Sequence, residues 1–92
     1  MNPLQIDHLP DRGRFQTRVD GQLCVADYRL ADGVMAVTHT EVPPALQGRG
    51  IAAALVGALL DHARANDLKV RPLCSYARAY MRRHPETAAL IA

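Results

Sequence analysis

Gln47-Gly48-Arg49-Gly50-Ile51-Ala52 decides the fold, because both of its flanks give it a meaning. Upstream, Val34 to Val42 alternates as an extended strand and stops at Pro43-Pro44. Downstream, Ile51, Leu55 and Leu59 and the adjoining row Val56, Leu60 and Ala63 recur at helical spacing, so a helix runs from about Gly50 to Ala65. A strand that feeds a glycine-bearing loop into a helix start leaves backbone N–H groups free at the positive end of the helix dipole. That is an anion site best suited to phosphate, and the ligand it predicts is a phosphorylated cofactor.

Towards the start of the chain, Asp11-Arg12-Gly13, Asp20-Gly21 and Asp32-Gly33 are turn signals between short alternating runs. They delimit strands near Arg14–Val19, Gln22–Leu30 and Val34–Val42, joined as consecutive hairpins. Cys24, Ala26, Tyr28 and Leu30 share one face of the second strand, which makes Cys24 a core residue. In the third, strict alternation puts Met35, Val37, His39 and Glu41 on one face and Val34, Ala36, Thr38, Thr40 and Val42 on the other. Its early part is apolar on both faces, as in a strand covered on both sides. Beyond the helix, Asn66-Asp67 is a stop, Leu68 to Leu73 a short strand, and Tyr76 to His84 a helix closed by Pro85. The tail Glu86–Ala92 adds one helical turn. The order β-β-β-α-β-α describes an α+β (mixed α/β) fold: an antiparallel meander, a crossover helix, a strand parallel to the third, and a final helix.

Ninety-two residues make a single domain spanning 1–92, which buries only ~60–65% of its unfolded surface. Hydrophobic residues at 49% and charged ones at 22% describe an ordinary globular protein. Phe15, Tyr28, Tyr76 and Tyr80 are too few for the stacking platforms of single-strand nucleic acid binders, and a formal charge of +2 does not argue for DNA or RNA. Cys24 and Cys74 have no paired spacing and read as free thiols. Met1-Asn2-Pro3-Leu4 carries no charged leader or cleavage site, and no apolar run approaches the ~20 residues that span a bilayer. A cytoplasmic protein without membrane or nucleic acid partners is expected. His8, His62 and His84 lack ligand-like company, so no metal is predicted.

Gly48-Arg49-Gly50-Ile51-Ala52-Ala53 formally fits the dinucleotide fingerprint G-x-G-x-x-A, but its context fails. Pro43 to Gln47 intervene where the fingerprint turn should be tight. The acid that should end the second strand is Asp67, which precedes Leu68 instead. No Gly-Lys-Ser/Thr occurs, so a Walker-type loop is absent.

The segment Val42-Pro43-Pro44-Ala45-Leu46-Gln47-Gly48-Arg49-Gly50-Ile51-Ala52 resembles the acetyl-CoA loop of the GCN5-related N-acetyltransferases, with Gln47, Gly50 and Ala52 at the signature positions. Ser75-Tyr76-Ala77-Arg78-Ala79-Tyr80 is similar to the start of that family's last major helix. Together with His39-Thr40-Glu41-Val42 and Tyr80-Met81-Arg82-Arg83-His84-Pro85, these stretches resemble the minimal, single-domain YjdJ-type N-acetyltransferases. The likeness runs from about Phe15 to Pro85. It departs from larger relatives in lacking the helical pair between the first two strands, which leaves the acceptor side open.

The resemblance implies a set of site residues. Gln47, Gly48, Arg49, Gly50, Ile51 and Ala52 would hold the CoA pyrophosphate, largely through backbone N–H groups, and Thr40 and Val42 would meet the pantetheine amides. Ser75, as a helix cap, and Tyr76 would flank the cofactor, and Arg83 would reach its 3′-phosphate. His39 or Glu41, two residues apart, would take the proton from an amine acceptor; a sheet-face ion pair is the alternative. Cys74 precedes a helix, where a dipole can lower a thiol pKa, and falls near the thioester. It would carry acetyl transiently or only shape the pocket, a small buried hydrophobe being the third possibility. Tyr80, with Tyr76 second, would protonate the departing thiolate.

The expected function is an acetyl-CoA-dependent N-acetyltransferase acting on a small-molecule or peptide amine by direct attack on the thioester, as a monomer or weak homodimer. The alternatives are a non-catalytic acyl-CoA-binding or sensing module and nucleic acid docking through Arg78–Arg83, which weak charge and scarce aromatics disfavour.

Overall fold

Aspartate-glycine pairs fold the first half of the chain. In the computed structural model, which describes residues 4–92, Asp20 and Gly21 have φ of 52° and 75°, and Asp32 and Gly33 have 52° and 76°. These left-handed pairs make two-residue hairpin turns whose twist matches the flanking strands. They join β2 (Arg14–Val19), β3 (Gln22–Ala31) and β4 (Val34–Glu41), with Val19 opposite Gln22 and Ala31 opposite Val34. A short β1 (Asp7–Leu9) lies outside β2, an addition to the expected strands. The sheet order is β1-β2-β3-β4-β5, antiparallel except for the parallel pairing of β5 (Lys69–Pro72) with β4. The expected absence of a leader at Met1-Asn2-Pro3 falls outside the described residues.

Helix α1 (Ile51–Ala65) is the crossover between β4 and β5. Ile51, Leu55, Val56, Leu59, Leu60 and Ala63, the two predicted rows, are its buried face. Each large aliphatic among them contributes roughly 1.5–3 kcal/mol by burial. The helix ends where Asp67 turns left-handed (φ 54°), Leu68 N–H donating to Ala63 O at 2.9 Å. Helix α2 (Ser75–Arg83) buries Ala77 and Met81 against the same core, and a 3₁₀ segment, Pro85–Leu90, adds Thr87 and Leu90. At the outer edge of β5, Ile91 bridges Val70, and Ala92 N–H donates to Val70 O at 2.9 Å. This tail shields part of an otherwise open strand edge.

The register corrects two expectations about β4. Asp27 faces His39 but Tyr28 faces Val37, so Thr38 is an extra residue, a β-bulge. Past it the alternation slips: Thr40 sits opposite Ala26 on the face of Met35 and Val37, whereas His39 and Glu41 fall on the other face, opposite Asp27 and Val25. Val-Thr-His-Thr-Glu consists of ordinary strand formers, so nothing in it announces the slip. Nor is β4 covered on both sides. α1 and α2 pack on the face of Met35 and Val37, and the opposite face carries no helix among the described residues. Val34 and Ala36 are half-buried there beside exposed Arg29, Lys69 and Arg71.

Under α1, His8 of β1 stacks on Phe15 with ring centroids 4.1 Å apart, meets Tyr28 Oη at 2.6 Å, and abuts the His62 ring edge-on at 4.4 Å. Burial, and next the like charge of His62, hold the His8 imidazole below its ordinary value of 6.5. The unfolded chain therefore takes the proton first as pH falls through that value. Stability is complete above it and is lost progressively below, until the native imidazole also titrates. We expect the urea midpoint to fall between about pH 7.5 and about pH 5.5, and to fall less in His8→Phe, which keeps the stacking shape. An equal fall in the variant would clear His8 of the effect.

Candidate functional site

The site begins where β4 and β5 part. Their ladder ends at Val37 opposite Pro72, which has no N–H to extend it. Leu73 and Cys74 N–H both close onto Val37 O at 3.0 Å, while the Thr38 bulge turns β4 away. The wedge so opened continues into a cleft of about 400 Å³, within the range of small-ligand sites. Thr40 lines it from β4, Val42 from just past the strand end, Gln47, Gly48 and Gly50 from the loop, and Tyr76 from α2. Leu46 and Ala53 also line it. Neither stands out in the sequence, although an apolar residue held in a proline-started turn (Pro44–Leu46) is a usable signal for a floor, and Leu46 is fully buried.

The loop leaves its amides open. Gly48 and Gly50 have φ of 84° and 81°, and a Cβ on either would meet nothing within 4 Å, so both face space. Gly50 is the N-cap of α1, with no side-chain cap and no acid in the first turn. The first α1 amide with a partner is Ala54, which donates to Gly50 O at 3.0 Å. Among the described residues the N–H groups of Ile51, Ala52 and Ala53 stand free, at a positive helix end with no acid in its first turn. Gln47 Nε2 donates to Val42 O at 3.1 Å, tying the loop to the strand end. Arg49 turns aside to Asp20 at 3.2 Å, an exposed pair between loop and hairpin.

Cys74, not Ser75, caps α2. Its Sγ accepts from Ala77 N–H at 3.3 Å and lies 3.4 Å from Thr40 Oγ1, so one thiol starts the helix and bridges the splay. Ser75 is the first helical residue instead. The sulfur takes the place that Ser, Asp or Asn usually fills, which is why the sequence pattern points one residue too far. Tyr76 and Tyr80 share a face of α2, but only Tyr76 lines the cleft. Tyr80 stacks on His84 at 4.0 Å, and its hydroxyl packs over Gly57 of α1, where a Cβ would sit 3.2 Å away. Burial pushes both phenols above their ordinary value; Arg83 partly offsets this at Tyr76, and Asp61 and Glu86 add to it at Tyr80. Both therefore hold their protons through neutral pH. Arg83 is exposed at the end of α2.

His39 Nε2 and Glu41 Oε1 form an exposed pair at 3.0 Å on the uncovered face. The fold thus gathers Thr40, Val42, the Gln47–Ala52 loop, Cys74 and Tyr76 at the helix side of the splay and sets His39 and Glu41 at its back. Among the described residues no group of His, Cys, Asp and Glu is arranged to hold a metal, and no helix is long and apolar enough to cross a membrane.

The chain and its fold have counterparts among known proteins. The model of the GCN5-related N-acetyl-transferase family matches residues 14–90, and the chain belongs to that family. It is 34% identical to Protein NATD1 of Gallus gallus over 87 residues, covering 90% of this chain and 78% of the relative. With Protein NATD1 of Homo sapiens the identity is 33%, over 90% and 76% of the two chains. The NMR solution structure of a GCN5-like protein from Staphylococcus aureus superposes with a TM-score of 0.77 at 27% identity, covering 100% of this chain and 91% of that one.

Proposed function

We propose that the protein is an acetyl-CoA-dependent N-acetyltransferase that binds its cofactor in the splay between β4 and β5. The observation that carries this is the uncapped start of α1, with the Ile51, Ala52 and Ala53 amides free beside a cleft that continues into the splay. Those amides would hold the pyrophosphate, the two loop glycines allowing close approach. Thr40 and Val42 would receive the pantetheine along the strand end, with Tyr76 opposite and Arg83 adding charge to the phosphates; Arg49 would join it only by leaving Asp20.

Acetyl-CoA, when bound, supplies an acetyl thioester: the amine nitrogen bonds to its carbonyl carbon as the C–S bond breaks. A neutral amine is required, and the His39–Glu41 pair on the back of the splay would remove its proton. A protonated phenol is available for the leaving sulfur. Tyr76 lines the cleft, whereas Tyr80, the better match to the family pattern, lies one helical turn further along α2. Holding the reactants in one geometry can remove about 7–11 kcal/mol of such a barrier.

Direct transfer leaves Cys74 as a cap and a wall of the pocket. Cys74→Ser should keep the cap and turn over acetyl-CoA within about tenfold of wild type, because a hydroxyl accepts from Ala77 N–H at least as well. Cys74→Ala should lower stability by about 1 kcal/mol. An acetylated Cys74 in the mass spectrum after mixing with acetyl-CoA, or a loss of 100-fold or more in the serine variant (about 2.7 kcal/mol), would replace direct attack by a covalent route. A second reading, a non-catalytic acyl-CoA-binding module, draws on the missing wall over the acceptor side. Binding of acetyl-CoA with no thiol release across an amine panel would establish it.

A further inference from the structure

The uncovered face of the sheet is electrically divided. Near the splay it carries His39 and Glu41, with Asp27 opposite His39 in ion-pair contact with Arg14 at 2.7 Å. At the other end of β4, Arg29 of β3 and Arg71 of β5 both pair in register with Ala36, so the two arginines flank a methyl group. Both are exposed, and neither has a carboxylate partner among the described residues. The next row, Ala31, Val34 and Lys69, continues a floor of small side chains; Lys69 Nζ is already engaged by Ala89 O at 2.8 Å. Two strand spacings set the arginine Cα atoms about 10 Å apart, within reach for two guanidinium groups to converge on one anion over Ala36. From Ala36 to the Thr38–Thr40 opening is two to four strand residues, roughly 7–13 Å.

We propose that the acceptor lies along this face, its amine at the splay and an anionic group seated between Arg29 and Arg71. The amines it takes therefore carry a negative charge, a carboxylate in the simplest case, about 10 Å from the reacting nitrogen. A short peptide or ω-amino acid has this form; a diamine does not. The argument from charge is complementarity at both ends: the amine meets the exposed Glu41 beside His39, Asp27 being already paired with Arg14, and the anion meets two arginines that have no carboxylate partner among the described residues. This rests on the transferase reading above and narrows its substrate class.

The test compares three acceptors of one length, matched to that span, in a thiol-release assay with acetyl-CoA: a straight-chain ω-amino acid, the alkylamine and the diamine. The amino acid should be preferred by at least about tenfold in kcat/KM, most of it in KM, and the diamine should be poorest. Arg29→Gln with Arg71→Gln should bring the ratio of amino acid to alkylamine close to one. Arg71→Glu should favour the diamine, a reversal that damage to the fold could not mimic. Turnover without a preference, or a preference that survives in the double variant, overturns the proposal alone. No turnover of any amine by protein that binds acetyl-CoA overturns the transferase reading and this proposal with it.

Discussion

Gly50→Trp should lose acetyl-CoA affinity by at least about 100-fold, which is about 2.7 kcal/mol, while its circular dichroism stays that of wild type. Gly50 has φ of 81° at the N-cap of α1 and faces open space, so an indole there enters the mouth of the cleft instead of the core. It would stand where phosphate oxygens must approach the Ile51, Ala52 and Ala53 amides. The left-handed backbone adds about 1–2 kcal/mol of strain, which a domain of ordinary stability tolerates. Gly33→Trp controls for that strain: Gly33 also has positive φ (76°) and open space, but it lies in the hairpin at the opposite end of β4. Calorimetry should show micromolar binding for wild type and Gly33→Trp and none for Gly50→Trp. Wild-type affinity in Gly50→Trp would place the cofactor elsewhere. No binding by wild type would sink both the transferase and the acyl-CoA-binding module, leaving the family likeness as fold alone.

That this loop is legible in the sequence has a physical cause. Glycines before an apolar row of helical period fix both a backbone geometry and a helix start, and all six apolar residues of those two rows are buried in α1. The Asp-Gly hairpins were legible for the same reason, since few residues other than Gly, Asn and Asp accept positive φ at both turn positions. What stayed hidden depends on contacts between distant segments. The Thr38 bulge is set by how β4 registers on β3, and it decides which of His39, Thr40 and Glu41 face the cofactor. β1 is three residues long and carries no pattern of its own; His8 is held by Phe15, Tyr28 and His62 instead. Helical period groups Tyr76 with Tyr80, but only packing against Gly57 separates the one over the cleft from the one over α1.

Gly13→Ala should be the most damaging single-methyl change in the chain, at about 3 kcal/mol or more. A left-handed alanine alone costs about 1–3 kcal/mol, and here a clash with backbone is added. Gly13 has φ of 63° and ends the 3₁₀ turn Pro10–Arg12, donating to Pro10 O at 3.1 Å. Its own carbonyl accepts from Tyr28 N–H at 2.8 Å, so the residue is the last rung between β2 and β3. A Cβ would fall against Tyr28 O, which belongs to a strand and cannot step aside as a side-chain tip would. Relief requires β2 to lift from β3 beside Phe15 and Tyr28, both of which are in the core and in contact with the His8 ring. For a chain of this size the midpoint of thermal unfolding should drop by ~12–24 °C. Gly21→Ala serves as the comparison, because that glycine also has positive φ (75°) but nothing within 4 Å of its Cβ. It should show the conformational cost alone, about 1 kcal/mol. Equal losses in the two variants would mean that the close approach of Gly13 to Tyr28 contributes nothing and that backbone conformation explains both.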